Sequence, residues 1–134
     1  MNLTFAMLAD HVAETKEGKL VIVGEFDTIG APQFPATHPS FFLVARFQGT
    51  AAEARSHRLR IRLVGPDGQN VLPQDPELQV HAVRVHENVS RANILLNFAG
   101  LQFPQPGVYH FRLELDGTRH GDVPLHLQHV VAQS

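Results

Sequence analysis

The sequence predicts an all-β fold, a two-layer antiparallel β-sandwich of about eight strands with an immunoglobulin-like Greek-key arrangement. Apolar and polar residues alternate with a period of two through most of the chain, and turn residues separate the alternating runs. No stretch shows a convincing helical period. With 134 residues, 43% of them hydrophobic and 18% charged, the chain is expected to form one globular domain spanning residues 1–134. A closed barrel is the alternative architecture.

In the N-terminal half, alternation predicts strands at residues 2–10, 19–29 and 41–48. The polar residues 11–18 predict a turn or one helical loop between the first two strands. The second strand has apolar residues on both faces, so it is expected to be central, and Gly24 is expected to mark a bulge. Residues 30–40 contain three prolines and predict a long connection outside the ladder.

In the C-terminal half, the same pattern predicts strands at 57–64, 69–72, 77–86, 91–99, 108–116 and 123–130. The GPDG sequence at 65–68 predicts a hairpin turn, because proline presets φ and glycine accepts the left-handed region. A tight connection at 87–90 and Asp116-Gly117 predict two further hairpins. In the last hairpin we expect Leu113 to face Leu125 on the core side.

One tyrosine follows a Pro-Gly corner at the start of a late strand. In immunoglobulin-like sandwiches, a tyrosine at such a corner uses its phenol hydroxyl to bond a backbone group of the crossing loop. Tyr109, which follows Pro106 and Gly107, is therefore expected to form a tyrosine corner. The simpler alternative is that Tyr109 is one more core aromatic, and either role is structural.

Four blocks of the sequence resemble a family of small bacterial proteins whose function is unknown. They are GKLVIVGEFDTIGAPQFPATHPSFFL (18–43), GPDG (65–68), NFAGLQFPQPGVYHFRLELDG (97–117) and PLHL (124–127). The resemblance covers nearly the whole chain, but its motifs are turn and strand patterns without chemical signatures. It implies a cytoplasmic bacterial protein and assigns no catalytic or binding residue.

Composition and charge narrow the range of functions. A net charge of −2 argues against nucleic acid and anionic membranes as partners. Without cysteine the chain has no disulfide, thiolate nucleophile or cysteine-ligated metal. The first ten residues do not resemble a secretory signal, and no apolar run is long enough for a membrane span, which predicts a cytoplasmic protein. No catalytic motif, phosphate-binding loop or nucleotide fingerprint is present, so we expect a non-enzymatic protein without a cofactor.

Nine histidines are the first candidates for a binding site. From the expected register of the last hairpin, His110 and His126 are diagonal neighbours on the outer face, and Glu114 continues the same row. Two imidazoles and a carboxylate are suitable ligands for zinc. Exposed histidines on a sandwich face are usually solvated, so these three residues are weak metal candidates.

A row of arginines is the second candidate. Arg58, Arg60 and Arg62 project from one face of a predicted strand, and Arg46 is a candidate fourth member. Guanidinium groups at this spacing suit carboxylate or phosphate partners. The alternative is a solvated outer face on which acidic residues of a neighbouring strand pair with the arginines.

The remaining candidates are apolar. Phe34, between two prolines, either anchors a partner or plugs one end of the sandwich, while Phe42 lies on a mixed apolar and basic face with Arg46. From these features we expect a module that binds a partner protein or itself, for which the edge strands of an open sandwich also offer pairing sites. The alternative is a small-ligand or metal-binding module that uses surface histidines or the Arg58, Arg60 and Arg62 row.

Overall fold

The computed structural model describes residues 1–131 and confirms an all-β sandwich of two packed five-stranded sheets. The strands are β1 (Asn2–Glu14), β2 (Leu20–Phe26), β3 (Thr28–Ala31), β4 (Ala36–Gly49), β5 (Ser56–Val64), β6 (Glu77–His81), β7 (Val83–His86), β8 (Val89–Phe103), β9 (Gly107–Leu115) and β10 (Thr118–His129). Sheet A has the order β2-β1-β4-β8-β7, and sheet B has the order β3-β10-β9-β5-β6. A short 3₁₀ turn, Ala51–Glu53, connects β4 to β5.

Ten strands are present instead of about eight because two predicted strands change sheets. The chain leaves sheet A at Asp27, between β2 and β3, and it leaves sheet B at Ala82, between β6 and β7. The prediction that residues 19–29 form one central strand is therefore wrong, since both of its parts are edge strands. The prediction of a purely antiparallel fold also fails at one pair, because β3 runs parallel to β10.

The ends of several strands also differ from the predicted ones. Residues 11–18 extend β1 to Glu14 and then make the turn into β2, and Gly18 adopts a φ of 80° there. β4 starts at Ala36 and accommodates Pro39, which lies opposite the positive-φ Gly100 at a position without a ladder pair. In place of the predicted strand at 69–72, a single bridge joins Val64 to Asn70.

The core lies between the two sheets and is built by the alternation of the central strands. From sheet A, the inward-facing side chains include Phe41, Leu43, Ala45 and Phe47, all of them fully buried. Sheet B contributes every second residue of β5 and β9, which are the fully or almost fully buried Leu59, Ile61, Leu63, Tyr109, Phe111, Leu113 and Leu115. The alternation therefore placed the inner faces of these strands correctly.

The tyrosine corner is confirmed. The Tyr109 hydroxyl donates to the Gln105 carbonyl at 2.6 Å and accepts from the Gln105 backbone N–H at 3.1 Å, while the ring is fully buried. The ring packs edge-on against Phe103, with centroids 5.1 Å apart. The hydroxyl thus satisfies both backbone groups of a residue in the connection between β8 and β9.

Replacing Tyr109 with phenylalanine is expected to lower the free energy of unfolding by about 1–3 kcal/mol. The variant keeps the ring but leaves the Gln105 carbonyl and N–H without their partner. Urea unfolding measures the effect, and Gln105→Ala is the control, because it keeps the backbone groups and removes only the side chain. A Tyr109→Phe variant as stable as the unchanged protein would show that the corner contributes nothing.

Candidate functional site

The hairpin formed by the end of β1 and by β2 folds across the outer face of sheet A. At its turn, the Gly18 carbonyl accepts from Asn93 at 3.1 Å and from Arg46 at 3.4 Å. Glu14 accepts a second bond from Asn93 at 2.6 Å. Asn93 belongs to β8, which is two strands away from β1 in the sheet order. The turn can reach it only because the hairpin lies over the sheet.

The bend begins at the predicted irregularity, Gly24. This residue adopts a φ of 72°, and a Cβ on it would lie 2.5 Å from a carboxylate oxygen of Asp10. The ladder between β1 and β2 has no pair at Asp10 and Gly24, although it is regular on both sides. Only glycine meets both demands, so Gly24 allows the hairpin to leave the plane of sheet A.

Beyond the bend, the hairpin builds a second, smaller apolar cluster. Val12 is buried there and Leu20 and Ile22 are partly buried, packed with Val44 on the outer face of sheet A. The alternate residues of β2 face solvent, and Val21 and Val23 are 51% and 54% exposed. The hairpin therefore covers part of the outer face of sheet A and presents two valines of its own.

A cavity of about 460 Å³ lies beside β2 on this outer face, and we call it the edge groove. Its lining comes from β2 and the turn before it, and from the outer face of sheet A, and includes Phe5, Lys19, Leu20, Ile22, Arg46 and Arg91. The β1 arm of the hairpin does not contribute. The edge groove thus runs along the side of β2 that faces away from β1.

Two of the predicted interaction residues lie on this face. Arg46 is half-buried, with its guanidinium carbon 5.4 Å from the centre of the Phe5 ring. Its Nε donates to Asn93 Oδ1 at 2.9 Å. Phe42 is also half-buried and meets the edge of the His11 ring at 5.8 Å. Arg46 does not join the predicted arginine row, because β4 belongs to sheet A and the row belongs to sheet B.

The row itself lies on the outer face of sheet B, where acidic side chains surround it. Arg60 donates to Asp75 at 2.7 Å, and Arg62 lies 3.6 Å from the same carboxylate. Glu114, on β9, lies 3.9 Å from Arg60 and 4.0 Å from Arg62. Arg58 lies 3.8 Å from Glu77. The hydrogen bond to Asp75 raises the pKa of Arg60. These three arginines are therefore engaged within the domain.

The histidine candidates occupy the same outer face with a different register. His110 faces Pro124, and Leu113 faces Gly121, so the expected pairing of Leu113 with Leu125 is wrong by four residues. The cause is the two-residue turn at Asp116 and Gly117, with φ values of 51° and 82°, which starts β10 immediately at Thr118. The sequence interpretation recognised this turn but started the second strand too late.

His110 and His126 remain diagonal neighbours in the observed register. Pro124 lies opposite His110, and His126 lies two residues further along β10 on the same face. Glu114 does not join them, because Arg60 and Arg62 hold it. Among the residues that the structure describes, no group of three histidine, aspartate or glutamate side chains is arranged to hold a metal ion.

Phe34 lies in the connection between β3 and β4. Its side chain is half-buried and packs against the main core. This placement corresponds to the plug at the end of the sandwich, the alternative to an exposed anchor.

Sequence reasoning missed a polar pair in sheet B, formed by the buried His57 and the exposed Asp116. His57 Nδ1 lies 2.6 Å from Asp116 Oδ2, and His57 Nε2 lies 2.8 Å from the Glu53 carbonyl. Both ring nitrogens of His57 therefore have a hydrogen-bond partner. Hydrogen bonds from the Arg58 N–H and from His57 lower the pKa of Asp116. The pair joins the start of β5 to the last hairpin.

Sequence reasoning also missed Phe5 and Arg91 as members of the edge groove. The alternation in β8 does signal that Arg91 and Asn93 face outward, since the residue that follows each of them is buried, Ala92 and Ile94 respectively. It contains no signal for their neighbours. Arg91 comes to the same groove as Arg46 because β4 and β8 pair along their full length.

Comparison with known proteins places the chain in a family. No curated protein matches it. A family model described as "Family of unknown function" matches residues 4–128, which confirms the resemblance noted in the sequence. Residues 1–131 contain no helix with the length and apolar character needed to cross a membrane. The chain belongs to the family of unknown function DUF6941.

Proposed function

We propose that this domain is a non-enzymatic protein-contact module of the bacterial cytoplasm that takes up an extended segment of another polypeptide along β2. The observation that supports the proposal is the state of this edge. All ladder hydrogen bonds of β2 go to β1, and within residues 1–131 its other side forms no backbone hydrogen bond. Open backbone groups of this kind pair readily with another strand.

The other three sheet edges carry features that oppose strand addition. β7 has four residues and an irregularity between Arg84 and His86. β3 also has four residues and runs into Pro32. β6 begins with Glu77, which pairs with Arg58.

β2 is longer, with seven residues, and its ladder with β1 is interrupted only at Gly24. Its stretch Leu20–Val23 contains no proline and no charged residue, and it pairs continuously with β1. β-branched residues favour strands, and the two exposed valines offer cross-strand partners to an incoming chain. The ligand-binding alternative based on the Arg58, Arg60 and Arg62 row has no comparable support, because acidic neighbours neutralise that row.

We expect the double variant Val21→Lys, Val23→Lys to lose at least about tenfold in affinity for an added strand, because lysine on an edge opposes pairing. The probe is a capped, labelled short peptide of alternating valine and glutamate, followed by fluorescence anisotropy. Sedimentation velocity over a hundredfold concentration range tests whether a second copy also uses the edge.

The matched control is Val83→Lys, since Val83 is 58% exposed but lies on the interrupted edge β7. This control is expected to bind the peptide as the unchanged protein does. Equal binding by all three proteins would contradict the assignment to β2. A protein that neither binds the peptide nor self-associates would contradict the function itself.

A further inference from the structure

We propose that Arg46 and Arg91 form a carboxylate-binding site in the edge groove, which holds an acidic side chain of the segment paired with β2. This inference rests on the proposed function and specifies the chemistry of the partner. Its partner segment is extended and alternates apolar with acidic residues. No basic or uncharged segment satisfies the site equally.

The two arginines lie close together on the outer face of sheet A. Arg46 faces Asn93 across the ladder between β4 and β8, and Gln48 faces Arg91. Arg46 and Arg91 are therefore diagonal neighbours on one face, with Cβ atoms about 7–8 Å apart or somewhat less. Two long side chains at this separation can direct their guanidinium groups to a common carboxylate.

Neutral amide side chains hold the guanidinium groups of both arginines in place. Arg46 Nε donates to the Asn93 amide oxygen at 2.9 Å. Arg91 Nε and Nη2 donate to the Gln48 amide oxygen at 3.0 and 2.8 Å. These partners are neutral, so they orient the guanidinium groups without cancelling their charge. In both residues Nη1 forms no hydrogen bond within the described part of the chain.

The arginines of the two sheets differ in whether a carboxylate lies beside them. The arginines around sheet B all lie within 4.0 Å of a carboxylate, namely Arg55, Arg58, Arg60, Arg62, Arg112 and Arg119. Across residues 1–131, no carboxylate comes within that distance of Lys19, Arg46 or Arg91, which all line the edge groove. Glu17 is the one acidic residue of the lining, so the groove keeps a positive charge.

The energetic consequence is visible at Arg46. Burial lowers the pKa of its guanidinium, and the nearby charge of Arg91 lowers it further, while Glu14 acts in the opposite direction. The charged form of Arg46 is therefore held in a site that opposes it. A carboxylate between Arg46 and Arg91 would relieve the repulsion between them, and a partly desolvated pair of this kind gains charge-assisted hydrogen bonds.

The two arginines lie beside β2, because Leu20 and Ile22 of this strand line the same groove. A strand added to β2 directs alternate side chains to the outer face of sheet A, beside Leu20 and Ile22, where the Phe5 ring and the two arginines lie. The other side chains join Val21 and Val23 on the solvent side. Acidic residues therefore belong on one face of the segment and apolar residues on the other.

The experiment compares the alternating valine–glutamate peptide with an uncharged valine–glutamine peptide, using the intact chain at low salt. We expect the glutamate peptide to bind at least about tenfold more tightly. Arg91→Gln is expected to abolish this preference and to keep the fold, since within residues 1–131 the side chain of Arg91 forms hydrogen bonds only to Gln48. The control Arg84→Gln removes another cation of sheet A that lies outside the groove, and it is expected to keep the preference.

Equal affinity for the two peptides, or full preference in Arg91→Gln, would overturn the carboxylate site while the proposed function stands. If neither peptide binds and the protein does not self-associate, the proposed function fails, and a titration with succinate decides the site separately. Saturable changes in the Nε NMR signals of Arg46 and Arg91, but not Arg84, would support the site. Unchanged signals would overturn it.

Discussion

Replacing Phe41 with alanine is expected to lower the free energy of unfolding by about 3–5 kcal/mol, the largest of the effects that we predict. The Phe41 ring is fully buried and lies between both sheets. It stacks on Phe98 at 5.5 Å and meets the edges of Phe26 and Phe111 at 5.8 and 5.9 Å. The substitution removes apolar surface and leaves a cavity that three aromatic neighbours cannot fill.

Phe42→Ala is the matched control, because the next residue along β4 points to the opposite face. Its ring is half-buried beneath the hairpin, so we expect a loss of about 1–2 kcal/mol. Urea unfolding followed by circular dichroism compares the two variants. Equal losses would mean that the apolar cluster under the hairpin contributes as much as the core between the sheets.

Replacing His57 with leucine is expected to cost about 2–4 kcal/mol, the second largest effect. The side chain of His57 is almost completely buried, and its two ring nitrogens lie within hydrogen-bond distance of the Asp116 carboxylate and the Glu53 carbonyl. Leucine leaves both groups without this partner. The expected cost lies below that of a fully buried ion pair, because the Asp116 side chain is 41% exposed and keeps its bond from the Arg58 N–H.

A double-mutant cycle with Asp116→Asn measures the coupling between the two side chains. Asparagine tolerates the φ of 51° found at this position, so the turn is kept and the charge is removed. We expect the sum of the stability losses in the two single variants to exceed the stability loss in the double variant. Strictly additive losses would show that His57 and Asp116 stabilise the domain independently.

The same pair makes a prediction for acidic pH. Because the folded state lowers the pKa of Asp116, its contribution to stability is complete above the ordinary aspartate value of about 3.9. The contribution is lost as the pH falls through the lowered value of the folded state. As the pH falls below about 4, the unchanged protein should therefore lose more stability than Asp116→Asn. Parallel pH profiles for the two proteins would contradict this assignment.

Much of the fold could be predicted because alternation reports directly which side of a strand is apolar. In β5 and β9, every second residue is buried as expected, from Leu59 and Ile61 to Phe111 and Leu113. The tyrosine corner was also predictable, because it depends on the local sequence around Tyr109 alone. These features need no information about which strands become neighbours.

The edges of the sheets were the failure. Residues 19–29 carry apolar side chains on both faces, which normally indicates a central strand. Here the same pattern arises because Leu20 and Ile22 cover the outer face of sheet A while Val21 and Val23 are exposed. An edge strand with one apolar face exposed and a central strand with both apolar faces covered therefore show the same sequence pattern.

The candidate site divides in the same way. The outward positions of Arg58, Arg60 and Arg62 followed from alternation, but their acidic neighbours Asp75 and Glu114 come from other parts of the chain. The pairing of β5 with β9 and the packing of the loop that contains Asp75 bring these carboxylates to the arginines and neutralise their charge. The bend at Gly24 and the long ladder between β4 and β8 decided instead that Arg46 and Arg91 share a groove.

Residue order therefore specified the strands, their inner faces and the turns, because these depend on contacts between near neighbours in the chain. Sheet membership, register and the surroundings of each charge depend on how distant segments pack. Within residues 1–131, packing brought six arginines to carboxylates and left Arg46 and Arg91 without one. No local pattern carries that difference, since Arg46 and Arg91 occupy outward strand positions just as Arg60 does.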